Sequence, residues 1–157
     1  MARVINKAPN DQSWEQAARL CQNLMCLPQA PVELWYWLAV ARRFQGLLEQ
    51  AEAAILALIR REPGCTWAWW IYGKVEQDRK FPDRAISRFC RAIALEPDCP
   101  GLWHELSSAY EEAGHLEPAL ASLRWACALQ SSTSSASKQR MDRLIEAIAQ
   151  RDHHPGA

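Results

Sequence analysis

Apolar positions along the chain recur at helical spacing, and the helices they mark follow one another in a fixed order. From Asp11 to Cys26, Trp14, Ala17, Ala18, Cys21, Leu24 and Met25 share one face, with Asp11 or Ser13 placed to cap the helix. Pro28 and Pro31 then break it. VELWYWLAVARRF sets Trp35, Leu38 and Ala39 on one stripe, Gly46 permits a turn, and LEQAEAAILALIRR sets Ala51, Ile55 and Leu58 on another, ended by Glu62-Pro63. The order repeats with Trp69, Tyr72, Gly73, Ala85, Phe89, Ala92 and Pro97, and again with Trp103, Leu106, Tyr110, Gly114, Ala119, Leu123 and Ala126. SSTSSAS at 131–137 reads as a flexible polar linker. Lys138 to Arg151 reads as a last helix with Met141, Leu144, Ile145 and Ile148 on one side.

Trp35, Trp69 and Trp103 stand thirty-four residues apart, as do Ala51, Ala85 and Ala119, and Pro63 and Pro97. That is the period of a helix–turn–helix repeat. The chain resembles the tetratricopeptide repeat (TPR) family, whose pattern is W-x2-L-G-x2-Y, then A-x3-F, then P. The second and third copies follow it well; the first follows it less fully, with Arg42 at the usual Tyr and Ile55 at the usual Phe. The resemblance implies an all-α, TPR-type α-solenoid of antiparallel hairpins stacked into a right-handed superhelix. The expected organisation is a loose lead-in at 1–10 and one domain at 11–151. That domain holds a half-repeat at 11–27, repeats at 32–65, 66–99 and 100–133, and a capping helix at 138–151 before a frayed tail at 152–157. Small residues at the Ala and Gly phases let paired helices approach, and each hairpin needs a neighbour to bury its apolar face.

Composition narrows the function more than the fold. Eighteen basic residues balance eighteen acidic ones, so no global field favours nucleic acid or anionic lipid. No apolar run approaches the ~20 residues that cross a bilayer. The start, MARVINKAPNDQSWEQ, has no apolar run to serve as a signal peptide, so a cytoplasmic location is expected. Six cysteines then read as reduced thiols, small buried hydrophobes without a C-x-x-C pair for zinc. There is no phosphate loop, nucleophile elbow or H-E-x-x-H, and Ser108, four positions after His104, stands where that last motif needs its second histidine. No cofactor, no metal and no enzymatic activity are expected.

Binding remains. The family resemblance implies that successive first helices line a concave groove. One position off the Trp35/Trp69/Trp103 core phase lie Glu33, Tyr36, Val40 and Arg43, then Trp67, Trp70, Lys74 and Gln77, then Gly101, His104, Ser108 and Glu111. Trp37 and Trp67 flank the ring positions Tyr36, Trp70 and His104. Trp14 and Trp125, on second helices, read as packing. Trp67 and Trp70 read as groove contacts, with stacking on a neighbouring helix as the rival. One TPR class grips the C-terminal carboxylate of heat-shock chaperones through Lys and Asn; Tyr36, Val40, Ile71, Gly101 and Glu105 at those phases supply none of the five clamp residues. Arg42, Arg43 and Lys74 against Glu105, Glu111 and Glu112 suggest a ligand with an acidic and a basic end. The leading reading is an adaptor holding a peptide or helix of another protein in an aromatic groove. A chaperone for an apolar client, and a self-associating structural subunit, are the alternatives.

Overall fold

The computed structural model describes residues 11–27, 29–130 and 134–153. Among them are eight α-helices and no strand: α1 (Asp11–Met25), α2 (Glu33–Phe44), α3 (Leu48–Arg61), α4 (Thr66–Asp78), α5 (Pro82–Leu95), α6 (Pro100–Glu112), α7 (Leu116–Ala128) and α8 (Ser135–His153). The expected lead-in at 1–10, the helix-breaking Pro28, linker residues 131–133 and the tail from 154 on lie outside the described residues. Contacts group the chain into two compact units, one up to Val75 and one from Glu76, the division falling inside α4.

In the first unit α1 packs on α2 and α2 on α3. Ala39 and Ala51 are fully buried within a cluster that also holds Cys21, Leu38, Val40, Ile55, Ile71, Tyr72 and Val75. Short side chains at Ala39 and Ala51 let large neighbours fill the space between helices. The Tyr72 hydroxyl donates to Glu52 Oε1 over 2.6 Å, satisfying a phenol that is otherwise sealed in apolar surroundings. Trp14 packs as expected, its ring stacked on Phe44 at 4.5 Å and 7°. Leu24 is 40% exposed, whereas Leu58, Ala92 and Ala126 at the same phase are 1%, 0% and 0% exposed.

In the second unit α5 packs on α6, α6 on α7 and α7 on α8. The Ser107 hydroxyl donates to the Ala119 carbonyl over 2.8 Å, a contact that requires a small residue at each of the two phases. Ala119, Leu120, Leu123 and Leu144 form the cluster beneath α8. The last helix begins earlier than expected, because Ser134 caps it. Its carbonyl accepts the Lys138 N–H at 3.1 Å, and its hydroxyl accepts the Ser137 N–H at 3.1 Å. Half of the predicted linker is thus the first turn of a helix. With starts at Glu33, Thr66, Pro100 and Ser135, α8 stands in register with the first helices.

The turns inside each repeat are closed by backbone. After α2, Gly46 N–H donates to Arg43 and Leu47 N–H to Arg42; after α6, Gly114 donates to Glu111 and His115 to Tyr110; after α4, Lys80 donates to Gln77 and Phe81 to Glu76. These are Schellman motifs, which need a left-handed residue. Gly46 and Gly114 supply it at φ +72° and +78°, but the middle turn uses Lys80 at φ +65°.

Turns between repeats are closed by tryptophan. Glu62 and Glu96 carbonyls accept from Cys65 and Cys99, and the carbonyl of the intervening proline accepts an indole N–H: Trp69 Nε1 to Pro63 at 3.1 Å, Trp103 Nε1 to Pro97 at 2.8 Å. Trp35, Trp69 and Trp103 are half-buried rather than core, the last two because each ring must reach its surface turn. Trp35 instead lies under the Arg61 guanidinium at 4.5 Å. Trp125 is 58% exposed although it stacks on Trp103. The cysteines also depart from expectation. All six are free, only Cys21 is buried, and Cys26, in the turn after α1, and Cys90 are exposed.

Two stability changes are expected. Trp103→Phe keeps the ring but loses the indole donor and should cost about 1 kcal/mol in urea denaturation. Lys80→Gly relieves a left-handed Cβ and should stabilise by about 0.5–1 kcal/mol in the same assay.

Candidate partner-binding site

Each unit carries its own part of the predicted surface. In the first, the N-terminal turns of α2 and α4 and the C-terminal end of α3 surround a cavity of ≈ 360 Å³ lined by Val32, Glu33, Tyr36, Trp37, Leu58, Glu62, Cys65 and Trp67. Three predicted residues, Tyr36, Trp37 and Trp67, thus meet at one hollow. Tyr36 and Trp37 stand edge to face at 5.1 Å and 73°, and Trp67 and Trp70 at 5.9 Å and 86°. Trp37 and Trp67 are 46% and 51% exposed, whereas Tyr36 and Trp70 are half-buried and packed against the unit's core. Burial, with Cys65 reinforcing it and Arg43 opposing it, pushes the Tyr36 hydroxyl above its ordinary value, so it remains a neutral donor.

Three other predicted residues of this unit lie elsewhere. Val40 is a correction: it is only 8% exposed and belongs to the apolar cluster with Ile71 and Val75. Arg43 is half-buried, with its guanidinium over the Phe44 ring at 5.1 Å. Lys74 is half-buried farther along α4.

In the second unit the predicted residues are engaged by the chain itself. Gln77 is the second correction, buried at 6%, with its amide donating to Glu112 Oε1 over 2.9 Å. Arg140 of α8 donates to Glu111 Oε1 at 2.6 Å and to the Ser107 hydroxyl at 3.2 Å. The Gln130 amide lies 3.2 Å from His104 Nε2. Ser108 is half-buried beside them. The expected acidic end is therefore tied to Arg140 and Gln77 instead of being free for a ligand.

Glu76 was not among the expected site residues. It stands at the phase of Tyr110, is 2% exposed, and its Oε2 accepts no hydrogen bond. The substitution of a carboxylate for the repeat's tyrosine is visible in the sequence, but its burial is not. Among the described residues no group of three or more His, Cys, Asp or Glu side chains is placed to hold a metal. No described helix is long and apolar enough to cross a membrane.

Short helices in hairpins, small residues at their crossings and a Trp–Pro clasp at the repeat junctions define a helical-repeat protein. Residues 32–65 match the family model described as tetratricopeptide repeat, so this segment is a TPR and the fold is the TPR-type α-solenoid. The match falls on the copy whose signature is least complete. MamA (residues 41 to the end) from Desulfovibrio magneticus RS-1 is similar at 19% identity and TM-score 0.75, over 91% of this chain and 79% of that one. The first TPR of Spaghetti (RPAP3) bound to HSP90 peptide SRMEEVD is similar at 14% identity and TM-score 0.69, over 75% and 93%. The Yersinia enterocolitica type III secretion chaperone SycD, in complex with a peptide of the translocator YopD, is similar at 20% identity and TM-score 0.67, over 77% and 94%. Among curated proteins none matches the chain.

His104 gives this surface a pH dependence. Burial, then Arg140, lowers its pKa below the ordinary 6.5, with Glu105 opposing. The unfolded chain therefore takes up the proton first, so stability is full above 6.5 and declines as pH falls below it, levelling off under the folded-state pKa. Urea midpoints followed downward from neutral pH should show this decline, and His104→Gln should flatten it.

Proposed function

We propose that the chain is a non-catalytic adaptor that holds a peptide or helix of another protein against the aromatic surface of its first helices. The observation that carries this reading is the hollow where Tyr36, Trp37 and Trp67 meet with two indoles about half exposed. Indoles left in water are costly unless something covers them, and Trp and Tyr dominate binding hot spots. The peptides held by the RPAP3 and SycD structures support the same use of the fold. Nothing in the reading calls for a cofactor or turnover. Tyr36 and Trp70 contribute mainly by holding Trp37 and Trp67 upright. Arg43 and Lys74 would meet an acidic part of the ligand.

A chaperone holding an apolar client segment is the second reading. It is favoured by Leu20, Leu24 and Leu27, all exposed along α1 and the turn that follows it. Copurification with a client that aggregates without this chain would distinguish it.

The adaptor reading is tested by capture. Wild-type protein should retain a specific partner from lysate, and a Trp37→Ala/Trp67→Ala double variant should lose it at least about tenfold, with the thermal midpoint little changed. Retention by the double variant would remove this surface from the proposal. A Tyr36, Trp70, His104 triple alanine variant is the harsher control, since it also disturbs packing.

A further inference from the structure

The cavity of the first unit is more than an apolar hollow. Its walls are the rings of Tyr36, Trp37 and Trp67, with Tyr36 and Trp37 nearly perpendicular. The Trp70 ring, set edge to face at 86°, braces Trp67 from behind. Leu58, 1% exposed, and Val32 supply apolar surface. Two carboxylates, Glu33 and Glu62, complete the lining, and the eight lining residues include no lysine or arginine. On α2, Arg43 carries its guanidinium over Phe44, though its charge still reaches the Tyr36 hydroxyl, and Arg61 carries its own over Trp35.

Ring faces carry negative potential, and perpendicular rings present that potential from several sides at once. A neutral apolar side chain would fill such a space but leave the two acids without a counter-charge. An alkyl-ammonium group satisfies both, with its methylenes against Leu58 and Val32, its positive head among the rings, and the carboxylates at the rim. We propose that this cavity is a cation-accepting pocket that takes a lysine-type ammonium side chain of the docked segment. The proposal rests on the adaptor reading for its source of ligand, but the chemistry of the pocket is testable without any partner. It also reorders the charge pattern expected from phase alone. A basic ligand group belongs at the start of α2 and α4, ahead of Arg43 and Lys74.

The test titrates the full chain with three small probes while the indole N–H resonances of Trp37 and Trp67 are followed by NMR. The probes are N-acetyl-lysine methylamide, its Nε-trimethyl form, and the neutral carbon isostere of the latter. The trimethylammonium probe should saturate and bind about tenfold more tightly than its neutral isostere. Trp67→Ala should weaken it by a similar factor. Glu33→Gln/Glu62→Gln, at two exposed positions, should weaken it several-fold and flatten its salt dependence. Equal binding of the neutral isostere would overturn the charge assignment, and failure of both cations to saturate would overturn the pocket. Either result leaves the capture experiment untouched. Conversely, probe binding without any captured partner would sink the adaptor reading and leave the pocket standing.

Discussion

The hydrogen bond from an indole N–H to a proline carbonyl, made by Trp69 to Pro63 and by Trp103 to Pro97, is the interaction on which the repeat architecture turns. A repeat junction is a surface turn with carbonyls that no helix satisfies, and proline, having no N–H, cannot donate across it. The tryptophan that follows six residues later supplies the donor from its side chain and covers the turn with its ring. Entry into the next first helix is thereby held, and the angle at which that helix leaves sets what its other face can meet. Tryptophan and proline recur at a common period because they are two halves of one clasp.

Around that clasp the hydrogen bonds of helix ends are handled economically. No N-cap side chain closes the start of α2, α3, α5, α6 or α7; main-chain bonds serve at the Schellman turns, and Ser134 is used where a serine-rich segment follows instead of a Glu-Pro turn. The arrangement leaves side chains near the first helices free for other work. In the first unit that freedom yields an open aromatic hollow. In the second, Arg140 and Gln130 occupy the corresponding residues, so one part of the predicted surface is available and another is already in use.

Much of the fold was legible because the hairpin repeat is a local device. Helix phases, the Gly46 turn and the stop at Pro63 all follow from spacing within thirty-odd residues. What escaped depended on contacts between distant segments. Val40 and Gln77 share a helix stripe with exposed neighbours, yet tertiary packing covers both, Gln77 through Glu112 thirty-five positions on. The engagement of Glu111 by Arg140 brings together residues twenty-nine positions apart, which no local spacing reveals. Glu76, at a tyrosine phase, and the exposed Cys26 and Cys90 show the converse: residue type alone does not set depth. Of the candidate site, the ring-bearing phases were readable, but the meeting of Tyr36, Trp37 and Trp67 with two carboxylates was not. Glu62 lies on the far side of a hairpin from Glu33.

The clasping indoles have a consequence for how the chain reports on itself in solution. Its eight tryptophans fall into two populations: rings spent on closing turns or packing helices, and rings facing outward at the hollow. Bulk emission averages the two, so a ligand that covers Trp37 and Trp67 changes only a minority of the signal, while loosening of a repeat junction changes the rest. Fluorescence from the intact chain therefore follows the integrity of the solenoid more closely than the occupancy of its surface.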